Sequence, residues 1–243
     1  MVFACFLGFF KIDIFNNKFI ETKIAENIKY LWFGMLSALL ILFLNIYLPI
    51  LFQPLFLYYS YLIYVIEDLK FYVTDTHTSI YSELYRAFVQ IGLVEELCKG
   101  LMIYLAIRKV KNDLMTCLIR AIVVSLGFAL FENVNYAVYY ESFEMLYNRS
   151  IIPVLAHMSM SMFVFIGMIS EKYDYKIKGI SKYSIINGFI CAAFWHGLYD
   201  YVIMYNPELT HVFYLDYVIL AACIMHVTFL TRELLNKETL TSN

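Results

Sequence analysis

The sequence predicts an all-α, polytopic helical membrane protein, organised as a single integral-membrane domain over residues 1–243. Three observations carry that expectation. Of the 243 residues, 62% are hydrophobic and only 16% are charged, against about 25% charged in a soluble domain. The apolar residues gather in runs of about twenty, the length that crosses the hydrocarbon core as a helix. Lysine and arginine alternate from one intervening segment to the next, as loops on opposite membrane faces do. A net charge of −2 says nothing about nucleic acid; no nucleic-acid partner is expected because there is no soluble domain to carry a basic cluster. The five cysteines are scattered and odd in number. They read as packing residues, not as a disulfide framework or a CxxC metal site.

Taken in order, residues 2–10 (VFACFLGFF) are apolar but too short to span. No positive residue precedes them and no A-x-A-like site follows, so an interfacial or half-inserted helix is expected rather than a cleaved signal. It falls within an N-terminal cytoplasmic or interfacial segment, residues 1–30. Six spans follow, at Leu31–Phe52, Glu83–Ile107, Ile119–Tyr140, Ser150–Ile169, Tyr183–Tyr205 and Val212–Thr231. The run Pro54–Ile66 is short for a full crossing, and Gln53-Pro54 breaks the helix before it. It reads as an interfacial or re-entrant segment, with a seventh span as the alternative.

Positive charge orients the spans. Lys11, Lys18, Lys23 and Lys29 precede the first, Arg108, Lys109, Lys111 and Arg120 follow the second, Lys172, Lys176, Lys178 and Lys182 follow the fourth, and Arg232 and Lys237 end the chain. The alternate loops hold Lys70 alone, Arg149 alone and, across residues 206–211, neither residue. Both termini of the multi-pass chain are therefore expected in the cytoplasm.

Within these apolar segments sit five ionisable residues: Glu95 and Glu96 (VEELCKG), Glu132 (FALFENVNY), His157 (VLAHMSM) and His196 (FWHGLYDY). A charge at mid-membrane costs at least ~2.5–3.5 kcal/mol, so such residues mark functional sites by default. At ~1.5 Å per residue, Glu132, His157 and His196 lie roughly 10–12 Å below the outer surface, and Glu95 and Glu96 ~18 Å. The five can meet in the outer half of the membrane. Glu95 and Glu96 point ~100° apart on a helix, and Lys99 can pair with either, at i+4 or i+3. One carboxylate is then neutralised while the other is free to activate water as a general base. Asn133, beside Glu132, offers an amide to orient a carboxylate or hold a substrate carbonyl, or serves as an interhelical contact. Phe128 and Tyr136 read as packing on the same face. Asp200, four residues after His196, can fix its tautomer, or sits as an interfacial charge. His77, His211 and His226 match no constellation.

These motifs, EExxK, FxxxENxxY, a lone helical histidine and HxxxD, in order on four successive predicted spans, resemble the PrsW family of bacterial intramembrane proteases. That family belongs to the wider superfamily of CAAX-processing and bacteriocin-maturation proteases. The resemblance covers residues 83–204, about half the chain, and makes residues 83–205 a four-helix catalytic core. One departure is Phe165, where family members often carry glycine eight residues after the histidine; Gly167 is nearby. The resemblance implies hydrolysis of a peptide bond in the outer part of a membrane-anchored protein such as an anti-sigma factor. Carried over, Glu95 and Glu96 are the catalytic acidic pair, Glu132, His157 and His196 complete the site, and Lys99, Asn133 and Asp200 support it.

Two chemistries fit. A glutamate can deprotonate water while a histidine and Asn133 stabilise the oxyanion. Alternatively, His157, His196 and one glutamate, with Glu132 the candidate, hold Zn²⁺ and the spare glutamate is the base. Lys99 beside the pair disfavours a cation and tilts the reading toward metal-free glutamate chemistry, although the family is often labelled metalloprotease. No organic cofactor is implied. The rival readings are an ion- or proton-coupled transporter and a non-catalytic scaffold. A proton relay needs groups strung along the membrane axis, whereas these cluster at one depth.

Overall fold

The computed structural model describes residues 18–51, 80–111, 113–173, 183–205 and 214–241. The N-terminal run 2–10, the segment Pro54–Ile66, and His77 and His211 lie outside the described residues. Among the described residues there are helices and no strands, so the chain is an all-α polytopic membrane protein. The helices are α1 (Lys18–Asn27), α2 (Leu31–Leu51), α3 (Ile80–Tyr85), α4 (Val94–Ile107), α5 (Leu114–Tyr139), α6 (Phe143–Asn148), α7 (Ile152–Lys172), α8 (Ile185–Tyr205) and α9 (Leu215–Thr241). A 3-10 turn, Ile28–Tyr30, joins α1 to α2, and a π-helical stretch, Arg86–Leu93, joins α3 to α4.

Among the described residues, four stretches are long and apolar enough to cross a membrane: Lys23–Leu44, Leu114–Tyr139, Ile152–Lys172 and Leu215–Leu234. The other two expected spans are present as helices, but they are the ones that carry Glu95, Glu96 and Lys99, and His196 and Asp200. Their polar residues dilute the hydropathy on which the expectation rested.

Helix α7 is the axis of the bundle. Every residue from Ala156 to Ser170 is buried, and α4, α5, α8 and α9 all pack on it. Lipid tails are as apolar as leucine, so burial alone does not drive these helices together; close van der Waals contact and interhelical polar bonds do. Two glycines of α8 show the requirement. A Cβ on Gly188 would lie 2.5 Å from the Phe163 carbonyl oxygen of α7, and one on Gly197 would lie 2.5 Å from the Phe88 ring of the π-helical stretch. Methionines at 158, 160, 162 and 168 fill the remaining interior of α7, a use suited to their unbranched, adaptable chains.

The helix ends differ from expectation for identifiable reasons. Helix α5 starts at Leu114, not Ile119, because the Asp113 side chain accepts from Thr116 N at 2.8 Å and caps it. Helix α7 runs on to Lys172, whose Nζ donates to the Val110 and Ile107 carbonyls at 2.6 and 3.1 Å. After α5 the chain reverses through Glu141 at φ 50° into the unexpected short helix α6, capped by Ser142. The expected second span is one continuous rod only through its π-helical stretch. Such wide turns cluster at functional sites, and this one delivers the chain to Glu95 and Glu96.

At the end of the bundle that bears Asp113, α1 is tied down by polar contacts. Lys23 pairs with Asp113. Arg120 donates to Asn27 Oδ1 and to the Ala106 carbonyl, each at 2.7 Å, and lies 4.5 Å over the Tyr30 ring. Burial would raise the Asp113 carboxyl, but hydrogen bonds from Lys23 and Thr116 outweigh that and hold it below its usual value.

Candidate active site

The five residues meet where α4, α5, α7 and α8 face one another. Glu95 and Glu96 open α4, Glu132 lies on α5, His157 on α7 and His196 on α8. The two histidine rings stand edge to face with centroids 5.3 Å apart. The expectation that the groups gather is thus met in the geometry, and their separate environments assign different work to each.

Glu96 is fully buried and fully engaged. Its Oε1 accepts from Lys99 Nζ at 2.5 Å and meets His196 Nδ1 at 2.9 Å, while its Oε2 accepts from Ser161 at 3.2 Å. Of the two partners open to Lys99, the fold selects Glu96. A carboxylate so occupied orients its neighbours. It places a proton on His196 Nδ1 and leaves Nε2 as the lone-pair nitrogen.

Glu95 is the opposite case. Its side chain is 13% exposed, and its nearest ion-pair partner is His196 Nε2 at 3.5 Å. Its Oε2 is buried without a hydrogen bond. Buried polar atoms are normally satisfied, and Glu132 Oε2 shares this lack of a hydrogen bond.

Glu132 Oε2 lies 2.5 Å from His157 Nε2 and 3.2 Å from Arg149 Nη2. Lys99 is close to His157 as well, with Nζ 3.3 Å from Nδ1. An ammonium can only donate, so Nδ1 accepts and the His157 proton sits on Nε2, facing Glu132. Lys99 also lies 4.5 Å over the Phe128 ring, so Phe128 stacks on the cation as well as packing.

The surroundings of three supporting residues bear on their roles. Asp200 was expected to fix the His196 tautomer, but Glu96 takes Nδ1. Asp200 stands on the opposite side of the ring, with Oδ2 3.5 Å from Nε2. Of the two roles open to Asn133, an amide for a carboxylate or substrate and a structural polar contact, the fold shows a contact: it donates to the Arg149 carbonyl at 2.8 Å and accepts from Arg149 Nε at 3.1 Å. Tyr136 carries the Arg149 guanidinium at 3.8 Å from its ring centroid. Arg149 and Ser161 are the participants that the sequence reading missed. Ser161 could have been found from its i+4 spacing to His157, which puts both on one helix face.

The donors suit a metal ion. One ligand atom each from Glu95, His157 and His196 lies within 4.8 Å of the others, and His₂Glu is a zinc donor set. The glutamate in this trio is Glu95, where Glu132 was the expected candidate. The Glu96–His196 contact is the carboxylate–histidine pairing that orients metal-ligating imidazoles. Ionised, the four carboxylates of Glu95, Glu96, Glu132 and Asp200 outnumber the cations Lys99 and Arg149 by two, the charge of one divalent ion. Lys99, expected to repel a cation, is neutralised by Glu96 at 2.5 Å. Elsewhere, Trp195 Nε1 donates to His226 Nδ1 at 3.3 Å, which makes His226 a packing histidine outside the cluster.

Comparison with known proteins places this geometry. The pattern of the PrsW family intramembrane metalloprotease matches residues 26–229. A curated relative, Protease PrsW of Clostridioides difficile (strain 630), is 29% identical over 170 residues, which cover 66% of this chain and 69% of the relative. No solved structure matches. With a family match over most of its length and a buried glutamate–histidine cluster among apolar helices, the chain belongs to the PrsW family of intramembrane proteases.

Proposed function

We propose that this chain is a bacterial plasma-membrane protease that cuts a membrane-anchored protein near the outer face. In this reading Glu95, His157 and His196 hold a zinc ion, Glu132 is the general base, and residues 83–205 form the catalytic core. The observation that carries it is that a Glu95 carboxylate oxygen and one nitrogen each of His157 and His196 lie within 4.8 Å of one another.

A zinc ion held by these three residues would supply Lewis-acid chemistry, polarising a carbonyl and lowering the pKa of water. The remaining work belongs to the side chains. Glu132 accepts the proton of the attacking water and returns it to the leaving amide nitrogen, so that both cleavage products leave neutral at the cut bond. Glu96 holds His196 through Nδ1 and keeps Lys99 neutralised. His157 would bind as the neutral imidazole, and Glu132, 2.5 Å from its Nε2, stays ionised as the base. The Glu132 and Asp200 side chains are 17% and 20% exposed, which leaves one side of the cluster open to an entering peptide. The alternation of lysine and arginine between loops supports cytoplasmic termini and a site in the outer half.

The test is N-terminal proteomics of membranes from cells expressing the wild type, Glu95→Gln or Glu132→Gln. The expected result is a set of new N-termini near the outer face of membrane-anchored proteins, present only with the wild type. Identical profiles at matched expression would contradict the proposal.

A further inference from the structure

We propose that Arg149 is a positioning residue of the hydrolytic site, and that Asn133 and Tyr136 act through it. The inference rests on the reading of Glu132 as the general base. Glu132, Asn133 and Tyr136 fall within ~100° of arc on α5, since positions i, i+1 and i+4 of a helix point at roughly 0°, 100° and 40°. Arg149 enters that arc from the end of α6, seventeen positions along the chain from Glu132.

Three independent contacts hold it. Asn133, 1% exposed, gives both halves of its amide to this single residue, Nδ2 to the carbonyl and Oδ1 to Nε. Tyr136 lies under the guanidinium at 3.8 Å, a cation–π contact that fixes the plane of the fork. The third contact is the functional one: Nη2 reaches Glu132 Oε2 at 3.2 Å. Two contacts of Arg149 therefore face the seat and one faces the carboxylate.

The consequence is geometric. Glutamate has three rotatable bonds, and a general base must stay within hydrogen-bond reach of the water it activates. Arg149 and His157 both hold Oε2, so Oε1 stays outside this clamp. A planar, delocalised guanidinium suits a site that is both stacked and hydrogen-bonded, and an ammonium reproduces its charge but not its fork. Asn133 and Tyr136, which on the sequence look like a catalytic donor and a packing ring, become the seat of an arginine.

The test compares the rate at which wild-type-dependent N-termini accumulate in Arg149→Ala, Arg149→Lys, Asn133→Ala and Arg149→Ala/Asn133→Ala cells at matched expression. Zinc content and Tm of the purified chains are measured alongside. Arg149→Ala is expected to lower the rate by about 10–100-fold, as loss of an outer partner of a metal site does, with zinc content unchanged. Arg149→Lys recovers part of the loss, Asn133→Ala loses activity too, and the double variant loses no more than Arg149→Ala, because the residues act as one unit. A wild-type rate for Arg149→Ala, no rescue by lysine, or losses that multiply in the double variant would overturn the proposal. Glu132→Gln separates the two levels: if it cleaves normally, the general-base reading fails; if it is inactive while Arg149→Ala is normal, only the positioning role fails.

Discussion

Glu96 and His196 stand a hundred positions apart in the chain and 2.9 Å apart in the fold, Oε1 to Nδ1. The same oxygen takes Lys99 at 2.5 Å. Glu96 is therefore an internal strut, while its neighbour Glu95 keeps an oxygen free of hydrogen bonds.

Adjacent substitutions should behave in opposite ways. Glu95→Gln removes a ligand carboxylate and should abolish cleavage, with a smaller loss of Tm than Glu96→Gln. Glu96→Gln strands Lys99 in a buried site, and breaking a buried ion pair costs about 3–5 kcal/mol. Thermal unfolding in detergent, read together with cleavage, checks both. Equal Tm losses for the two variants would show that the division of roles is wrong.

Glu132 is assigned to proton transfer, an effect worth on the order of 10²–10⁴-fold. Glu132→Gln should lose that much turnover while the substrate still binds. A chelator should silence the wild type, and added Zn²⁺ should restore it. Turnover that persists after exhaustive chelation would instead favour the metal-free glutamate chemistry.

Helix α8 reaches the site only because its backbone approaches α7 at Gly188. Gly188→Leu should force the helices apart, an overpacking cost of about 1–3 kcal/mol. Activity should fall further than stability, because His196 rides on the same helix. The ratio of Tm shift to activity loss, compared with a substitution at lipid-exposed Ile190, measures this.

Asp113 gives a pH signature away from the site. Its carboxyl is held below the usual value by Lys23 and Thr116 against the opposing effect of burial. A depressed folded-state pKa stabilises above the unfolded value of about 3.9 and is lost as pH falls through the folded one. Asp113→Ala, which also removes a helix cap, should cost about 1 kcal/mol at pH 7. The gap to wild type should narrow below about pH 4. A gap independent of pH would remove the carboxylate from the explanation.

Much of this was legible in the sequence because lipid makes ionisable residues conspicuous. The five site residues stand out in apolar helices, and their similar depth is simple arithmetic at a fixed rise per residue. Their division of labour was not legible. Glu95 and Glu96 both lie within reach of Lys99, and the choice between them depends on Ser161 and His196, which arrive from other helices. Arg149 was visible only as a lone charge in a loop poor in lysine and arginine, so the topology argument set it aside. The choice between the two readings of Asn133 was not legible either, since its partner lies sixteen residues away. The π-helical stretch escaped notice because its wider turns leave no mark in hydrophobic spacing. Two expected spans are less apolar than the rest because they carry the polar site.

The central claim is that Glu95, His157 and His196 form a metal cradle and that Glu132 works beside it. The most direct measurement is the zinc content of purified wild type, Glu95→Gln, His196→Gln and Glu132→Gln. The account expects one zinc per chain in the wild type and in Glu132→Gln, with loss in the other two. A metal-free wild type that still cleaves, or equal zinc in all four, would contradict it.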